Sequence, residues 1–219
     1  MKVLIVAPHP DDEVLGCGGT IARHVAQGDE VHVAIVTRGI PELFPPEVIE
    51  GTRGEMRAAH KLLGISQTHE MDFPAPRTDT VAIHLVADQV RRVVRDVKAE
   101  TVYLPHYGDM HHEHGIVYTA GLVACRPTHS PVKRVLTYEV LSETDWGPSR
   151  PDQAFVPNVF IDVTPFLQKK LDAMRCFKSQ LHAPPAPRSI QALTALANYR
   201  GSTVGVEAAE AFTLVREIQ

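Results

Sequence analysis

Val3-Leu4-Ile5-Val6-Ala7 runs directly into Pro8-His9-Pro10-Asp11-Asp12-Glu13, and a second apolar run, Val31-His32-Val33-Ala34-Ile35-Val36, follows the pair Gly28-Asp29. Both runs are rich in β-branched residues and apolar on both faces, the pattern of strands buried in a parallel sheet. The residues between them, 13–27, read as a helix closed by Gly28. Strand, helix and strand in about 40 residues make a βαβ unit.

Outward from that unit the alternation continues. A helix is expected over 46–63, ending at Gly64, then a short strand near 70–73 and a helix near 80–98. In the last, Val86, Val90, Val93, Val94 and Val97 recur at i, i+4, i+7, i+8 and i+11, one apolar face of a helix. Further strands are expected at 101–104, 134–140 and 158–163, with a helix from about 114 to 125. The pattern predicts an α/β fold: a single-domain, Rossmann-like, doubly wound and mostly parallel sheet with helices on both faces. His182-Ala183-Pro184-Pro185-Ala186-Pro187-Arg188 reads as a loop of the same domain, followed by short helical patterns.

Composition narrows the function. With 219 residues, 44% hydrophobic and 22% charged, the chain supports one sizeable core, and one domain over 1–219 is expected. A net charge of −4 with scattered lysines and arginines gives no basic stripe, so nucleic acid is not an expected partner. Cys17, Cys125 and Cys176 are odd in number and form no CxxC pair, which suits reduced thiols rather than disulfides. The first apolar run stops after five residues, too short for a signal sequence, and no window is long and apolar enough for a membrane span. A cytoplasmic location without membrane attachment is expected.

In an open parallel sheet, ligands bind beyond the carboxyl ends of the strands. Two His/carboxylate clusters fall on that edge: Pro8 to Glu13 after the first strand, and Pro105-His106-Tyr107-Gly108-Asp109-Met110-His111-His112-Glu113-His114 after the strand ending at Leu104. Asp11, Asp12 and Glu13 could simply be helix-start acids facing the positive dipole end, at about 0.3–1 kcal/mol each. His9 before them, two prolines stiffening the turn, and the second cluster on the same edge favour a metal site. A catalytic zinc takes three protein ligands and keeps a position for water. His9-x-x-Asp12 plus one distant histidine supplies that set. His111 and His114, three apart, share one helix face, and His112 then points elsewhere.

Pro-His-Pro-Asp-Asp-Glu after an N-terminal strand, Leu15-Gly16-x-Gly18-Gly19, and a later His111-x-acid-His114 opening a helix resemble the LmbE/PIG-L family of zinc-dependent N-acetylglucosaminyl deacetylases. Thr52-Arg53-Gly54-Glu55 with Ala59 and Leu63-Gly64, and Lys178-Ser179-Gln180-Leu181, extend the similarity over most of the chain. The resemblance implies that His9, Asp12 and His114 bind Zn2+, for which other divalent ions can substitute, that Asp11 is the general base, and that His111 polarises the substrate carbonyl. It further implies a small N-acetylated amino-sugar or sugar-conjugate substrate and a homo-oligomer. Many relatives carry Asp directly before the last histidine, where this chain has Glu113, with His112 beside it. The longer side chain leaves open how Glu113 orients His111.

The chemistry suits these residue types. An amide is a poor electrophile, so zinc must polarise the carbonyl and bring its water toward a pKa of about 7. Asp11 takes the water's proton and delivers it to the departing amine. A protonated His111 would stabilise the oxyanion by about 3–4 kcal/mol.

Other features carry less. Gly16-Cys17-Gly18-Gly19 lies where a phosphate cradle would, but acids occupy the turn and repel a pyrophosphate, so the glycines serve close helix packing. Arg53 follows a loop that could overhang the site and is a substrate-binding candidate. His24, His32, His60, His69, His84, His129 and His182 lack ligand spacing and read as surface or satisfied core residues; His106 is a candidate pocket wall. Trp146 reads as packing, with ring stacking as the alternative. Two competing functions are a sugar- or nucleotide-binding module of this fold without turnover, and a metallo-phosphoesterase, a class that favours two-metal sites where this chain offers ligands for one.

Overall fold

In the computed structural model, which describes residues 1–148 and 150–219, β1 (Lys2–Ala7) lies between β2 (Glu30–Gly39) and β4 (Thr101–Pro105) and is parallel to both. Alternation decides its packing. Val3, Ile5 and Ala7 enter one apolar cluster and Leu4 and Val6 the other, because successive strand side chains point to opposite faces. β3 (Gln67–Ala75) pairs outside β2, and β5 (Arg134–Tyr138) outside β4, both parallel.

The chain therefore winds from β1 through β2 to β3 in one direction and through β4 to β5 in the other. The switch point lies between β1 and β4, the place where such sheets bind ligands. α1 (Asp12–Ala26), α2 (Pro46–Leu63), α5 (Leu167–Met174) and α6 (Ile190–Ser202) share the first cluster; α3 (Ile83–Val97) and α4 (His112–Ala124) share the second. Val86, Val90, Val94 and Val97 are the buried stripe of α3, as their spacing predicts.

One edge departs from expectation. β7 (Ala209–Glu217) inserts antiparallel between β5 and β6 (Val159–Asp162), giving the order β3-β2-β1-β4-β5-β7-β6. The helical reading after the proline stretch holds for α6 and fails for β7. Ala209 and Ala211 lack the β-branched signal, although Phe212 and Leu214 face the core.

Tertiary packing fixes α1 against this edge. A Cβ on Gly16 would collide with the Tyr138 ring, and one on Gly19 would lie 2.8 Å from Val163 Cβ, so close packing demands glycine there. Glu210 of β7 accepts from the Gly19 and Thr20 amides at 2.9 and 2.7 Å, and Lys170 of α5 donates to Glu210 at 2.6 Å and to the Leu15 carbonyl at 2.7 Å. This buried pair clasps the helix that begins at the site. Among the described residues, no helix is long and apolar enough to cross a membrane.

Candidate metal centre

The turn after β1 is held by Thr37, whose amide and hydroxyl both donate to the Pro8 carbonyl, at 3.0 and 2.8 Å. Asp11 adopts φ 120°, a conformation that favours glycine, and Asp12 starts α1. The His9 amide donates to Asp12 Oδ2 at 2.9 Å. Across the switch point, the loop after β4 delivers His111 as the residue capping α4, with His114 one turn later.

Candidate ligand atoms of His9, Asp12 and His114 all lie within 4.8 Å of one another. Asp12 Oδ2 is 3.2 Å from His9 Nδ1 and 3.3 Å from His114 Nε2. Asp12 and His114 are fully buried, yet Asp12 Oδ1 and His114 Nε2 have no hydrogen-bond partner. A buried polar atom left unpaired costs about 1–3 kcal/mol. Nitrogen and carboxylate donors with free lone pairs converging on one point fit a zinc-like cation.

The electrostatics agree. Burial disfavours charge on His9, but hydrogen bonds to Asp12 and Glu113 outweigh it and lift its pKa to about 9; Asp12 and Asp109 likewise carry buried His114 up to about 10. Burial opposes the ionised form of Asp12, and the two imidazoles still hold it well below the usual carboxylate range. The cluster demands positive charge, which protons or a metal cation can supply.

Each ring is oriented from behind. His114 Nδ1 donates to Asp109 Oδ2 at 2.7 Å, and Asp109 Oδ1 accepts from Thr144 Oγ1 at 2.6 Å. Glu113 answers the question its length raises: it bonds His9 Nε2 at 2.7 Å, accepts from the Thr78 amide and hydroxyl, and lies 3.9 Å from His111 Nδ1. It orients His9 in place of His111. His9, His111 and Glu113 form a second, overlapping group with ligand spacing, in which Glu113 is already engaged by His9 and Thr78.

Asp11 is buried, and Arg188 Nη1 donates to its Oδ2 at 3.0 Å. Burial pushes its pKa up from the usual carboxylate value, and the Arg188 guanidinium opposes that rise and favours the ionised form. Arg188 also donates to Glu143 Oε1 at 3.1 Å and Ser142 Oγ at 2.8 Å, while Glu143 Oε2 is buried without a partner. Asp11, His9, His111, Glu143, Gln180 and Arg188 line a cavity of about 220 Å³.

His111 faces this cavity with its ring 4.5 Å from that of His9. Burial, then the charges on His9 and His114, push its pKa down to about 4. In the metal-free site this surrounding disfavours the protonated donor that the resemblance implies.

Other expectations resolve individually. Arg53 is buried under Glu70 at 2.7 Å and Asp72 at 3.1 Å, and it borders the neighbouring pocket rather than the cavity holding Asp11. His112 is exposed. His60 is a satisfied core residue between Glu13 and Thr68, at 2.9 and 2.7 Å. His106 is buried against the Gln153 carbonyl at 2.8 Å, away from the cavity. Trp146 is 57% exposed, so the packing role expected of it is corrected.

Fold and site together define an α/β protein with a candidate mononuclear metal centre at the switch point of its sheet. The chain belongs to the PIG-L family, whose model, described as GlcNAc-PI de-N-acetylase, matches residues 4–125. It is 31% identical over 188 residues to the uncharacterized deacetylase YaiS of Escherichia coli K12, covering 81% of this chain and 90% of that one. It is also 27% identical over 195 residues to the 4-oxalmesaconate hydratase of Pseudomonas putida, covering 83% of this chain and 74% of the relative. The structure of the conserved protein TT1542 from Thermus thermophilus superposes with a TM-score of 0.76 at 25% identity, over 99% of this chain and 96% of that one.

Proposed function

We propose that the protein is a zinc-dependent hydrolase that removes an N-acetyl group from an amino sugar or its conjugate. The observation that carries this reading is that buried Asp12 and His114, each with an unpartnered polar atom, converge on His9, which lines the cavity where Arg188 holds Asp11. The PIG-L description and the name of the E. coli relative support the amide; membership in the family supports the sugar.

Bound by His9, Asp12 and His114, zinc supplies Lewis-acid polarisation of the carbonyl and an acidified water. Asp11 accepts the proton of the attacking water and passes it to the departing amine nitrogen. Arg188 holds that carboxylate in place, which is needed because Asp11 sits in a strained backbone conformation. His111, which lines the cavity, donates an N–H to the oxyanion, a contribution of about 3–4 kcal/mol for one well-placed donor. Asp109 and Glu113 keep the rings of His114 and His9 from rotating.

The hydratase among the relatives makes water addition to a carbon–carbon double bond the competing chemistry. Zinc-loaded protein is assayed for free-amine release from a panel of N-acetylated amino sugars and, in parallel, for hydration of unsaturated dicarboxylic acids. Amine release abolished by chelation supports the proposal. Hydration without amine release overturns it.

A further inference from the structure

A second pocket, of about 190 Å³, adjoins the reaction cavity and shares His9, Pro10, Thr52 and Gln180 with it. It lies between the ends of β2 and β3 and the start of α2, where Gly39, Ala75, Phe44, Val48 and Ile49 make its walls apolar. Its two arginines are spoken for: Arg53 by Glu70 and Asp72, and Arg38 by Glu50 at 2.8 Å. Phe44 and Val48 are 40% and 48% exposed. Large apolar side chains grouped at the mouth of a pocket, beside a candidate metal centre, mark a place for an apolar ligand group.

We propose that this pocket is an acyl subsite, and that the protein hydrolyses N-acyl amino sugars whose acyl chain is longer than acetyl. The inference rests on the hydrolase reading above and extends it. An amide carbonyl carbon bears two groups, the amine and the acyl chain, and the two cavities diverge from His9. The first is lined by Asp11, Glu143 with its free oxygen, Arg188 and Gln180, which match the hydroxyls of a sugar. The second offers apolar walls, so the acyl chain belongs there. Its volume equals that of roughly six waters at their liquid share, far more than a methyl group fills.

The reaction balances as hydrolysis. The C–N bond breaks, water gives its oxygen to the acyl carbon and a proton, by way of Asp11, to the amine, and the products are an alkanoate and a free amino sugar.

The test uses the full chain loaded with zinc and a series of N-acetyl-, N-butyryl- and N-hexanoylglucosamine, with kcat/KM read from amine release. Each methylene that becomes fully buried is expected to raise kcat/KM about fourfold, for a rise of at least about tenfold from acetyl to hexanoyl. Calorimetric binding of acetate, butyrate and hexanoate to the same protein should strengthen in that order. Phe44→Ala and Val48→Asp, both at exposed positions, should flatten the two trends. Amine release that is level or falls with chain length overturns the subsite while leaving the deacetylase reading intact. Absence of amine release from every member sinks that reading, and the subsite with it.

Discussion

Asp109→Ala tests how the site is held together. In the protein Asp109 accepts from His114 Nδ1 at 2.7 Å and from Thr144 Oγ1 at 2.6 Å, and it is buried. The alanine variant strands the ring N–H of a histidine that has no solvent contact. Removing such a carboxylate behind a metal ligand weakens metal binding by roughly 10- to 100-fold. Both oxygens are engaged and the group is buried, so the upper part of that range is expected, about 2–3 kcal/mol at 1.4 kcal/mol per decade. The unpaired donor should also cost about 1–3 kcal/mol of folding stability. Asp109→Asn keeps an acceptor oxygen but loses the charge and should fall near tenfold, while Thr144→Val, which removes only the outer bond, should fall less. Zinc affinity is measured by competition with a chelating dye, with circular dichroism to confirm folding. A folded Asp109→Ala protein that binds zinc as tightly as wild type would refute the reasoning.

Asp11→Asn and His111→Ala should each lower kcat by roughly 100-fold or more with zinc content retained, because a proton acceptor and an oxyanion donor are lost without a ligand; turnover near wild type in either variant removes that residue from the mechanism. Glu113→Gln should weaken zinc binding by roughly tenfold, as expected for the carboxylate behind His9; unchanged affinity with a lower kcat would return Glu113 to His111. Lys170→Met leaves Glu210 buried with only two backbone amides, and should lower stability in urea by about 3 kcal/mol, or roughly 6–12 °C in Tm; the additional change Glu210→Gln should recover part of the loss, and a single variant as stable as wild type contradicts the pair's role.

The parallel half of the sheet was legible because its strands are buried on both faces and so appear as unbroken apolar runs, with β1 the clearest. β7 was not, since its contact with α1 is made by the charged Glu210 and its inner positions include small alanines. In the candidate site, the two His/carboxylate clusters were readable because each is local in sequence and follows a strand, while the choice of His114 over His111 came from the family resemblance. Arg188 was invisible: it meets Asp11 across 177 positions, from a proline-rich segment with no pattern linking the two. The family pattern raised Glu113 as a partner for His111 and left that role open, and the longer side chain reaches His9 from 104 positions away. Nor could sequence supply the surroundings of His111, whose ring lies 4.5 Å from that of His9. Arg53 has the fork a sugar site uses, but only the fold shows it already paired with Glu70 and Asp72.

The central claim is that His9, Asp12 and His114 form one metal centre, and elemental analysis of dialysed protein tests it most directly. Wild type and His111→Ala should each retain about one tightly held divalent ion per chain, zinc as isolated, since three ligands with an open position describe a single catalytic site. His9→Ala, Asp12→Ala and His114→Ala should each lose it while remaining folded. Wild-type protein without a bound ion under zinc-replete conditions, or ion content undiminished when all three ligands are changed together, would contradict the account.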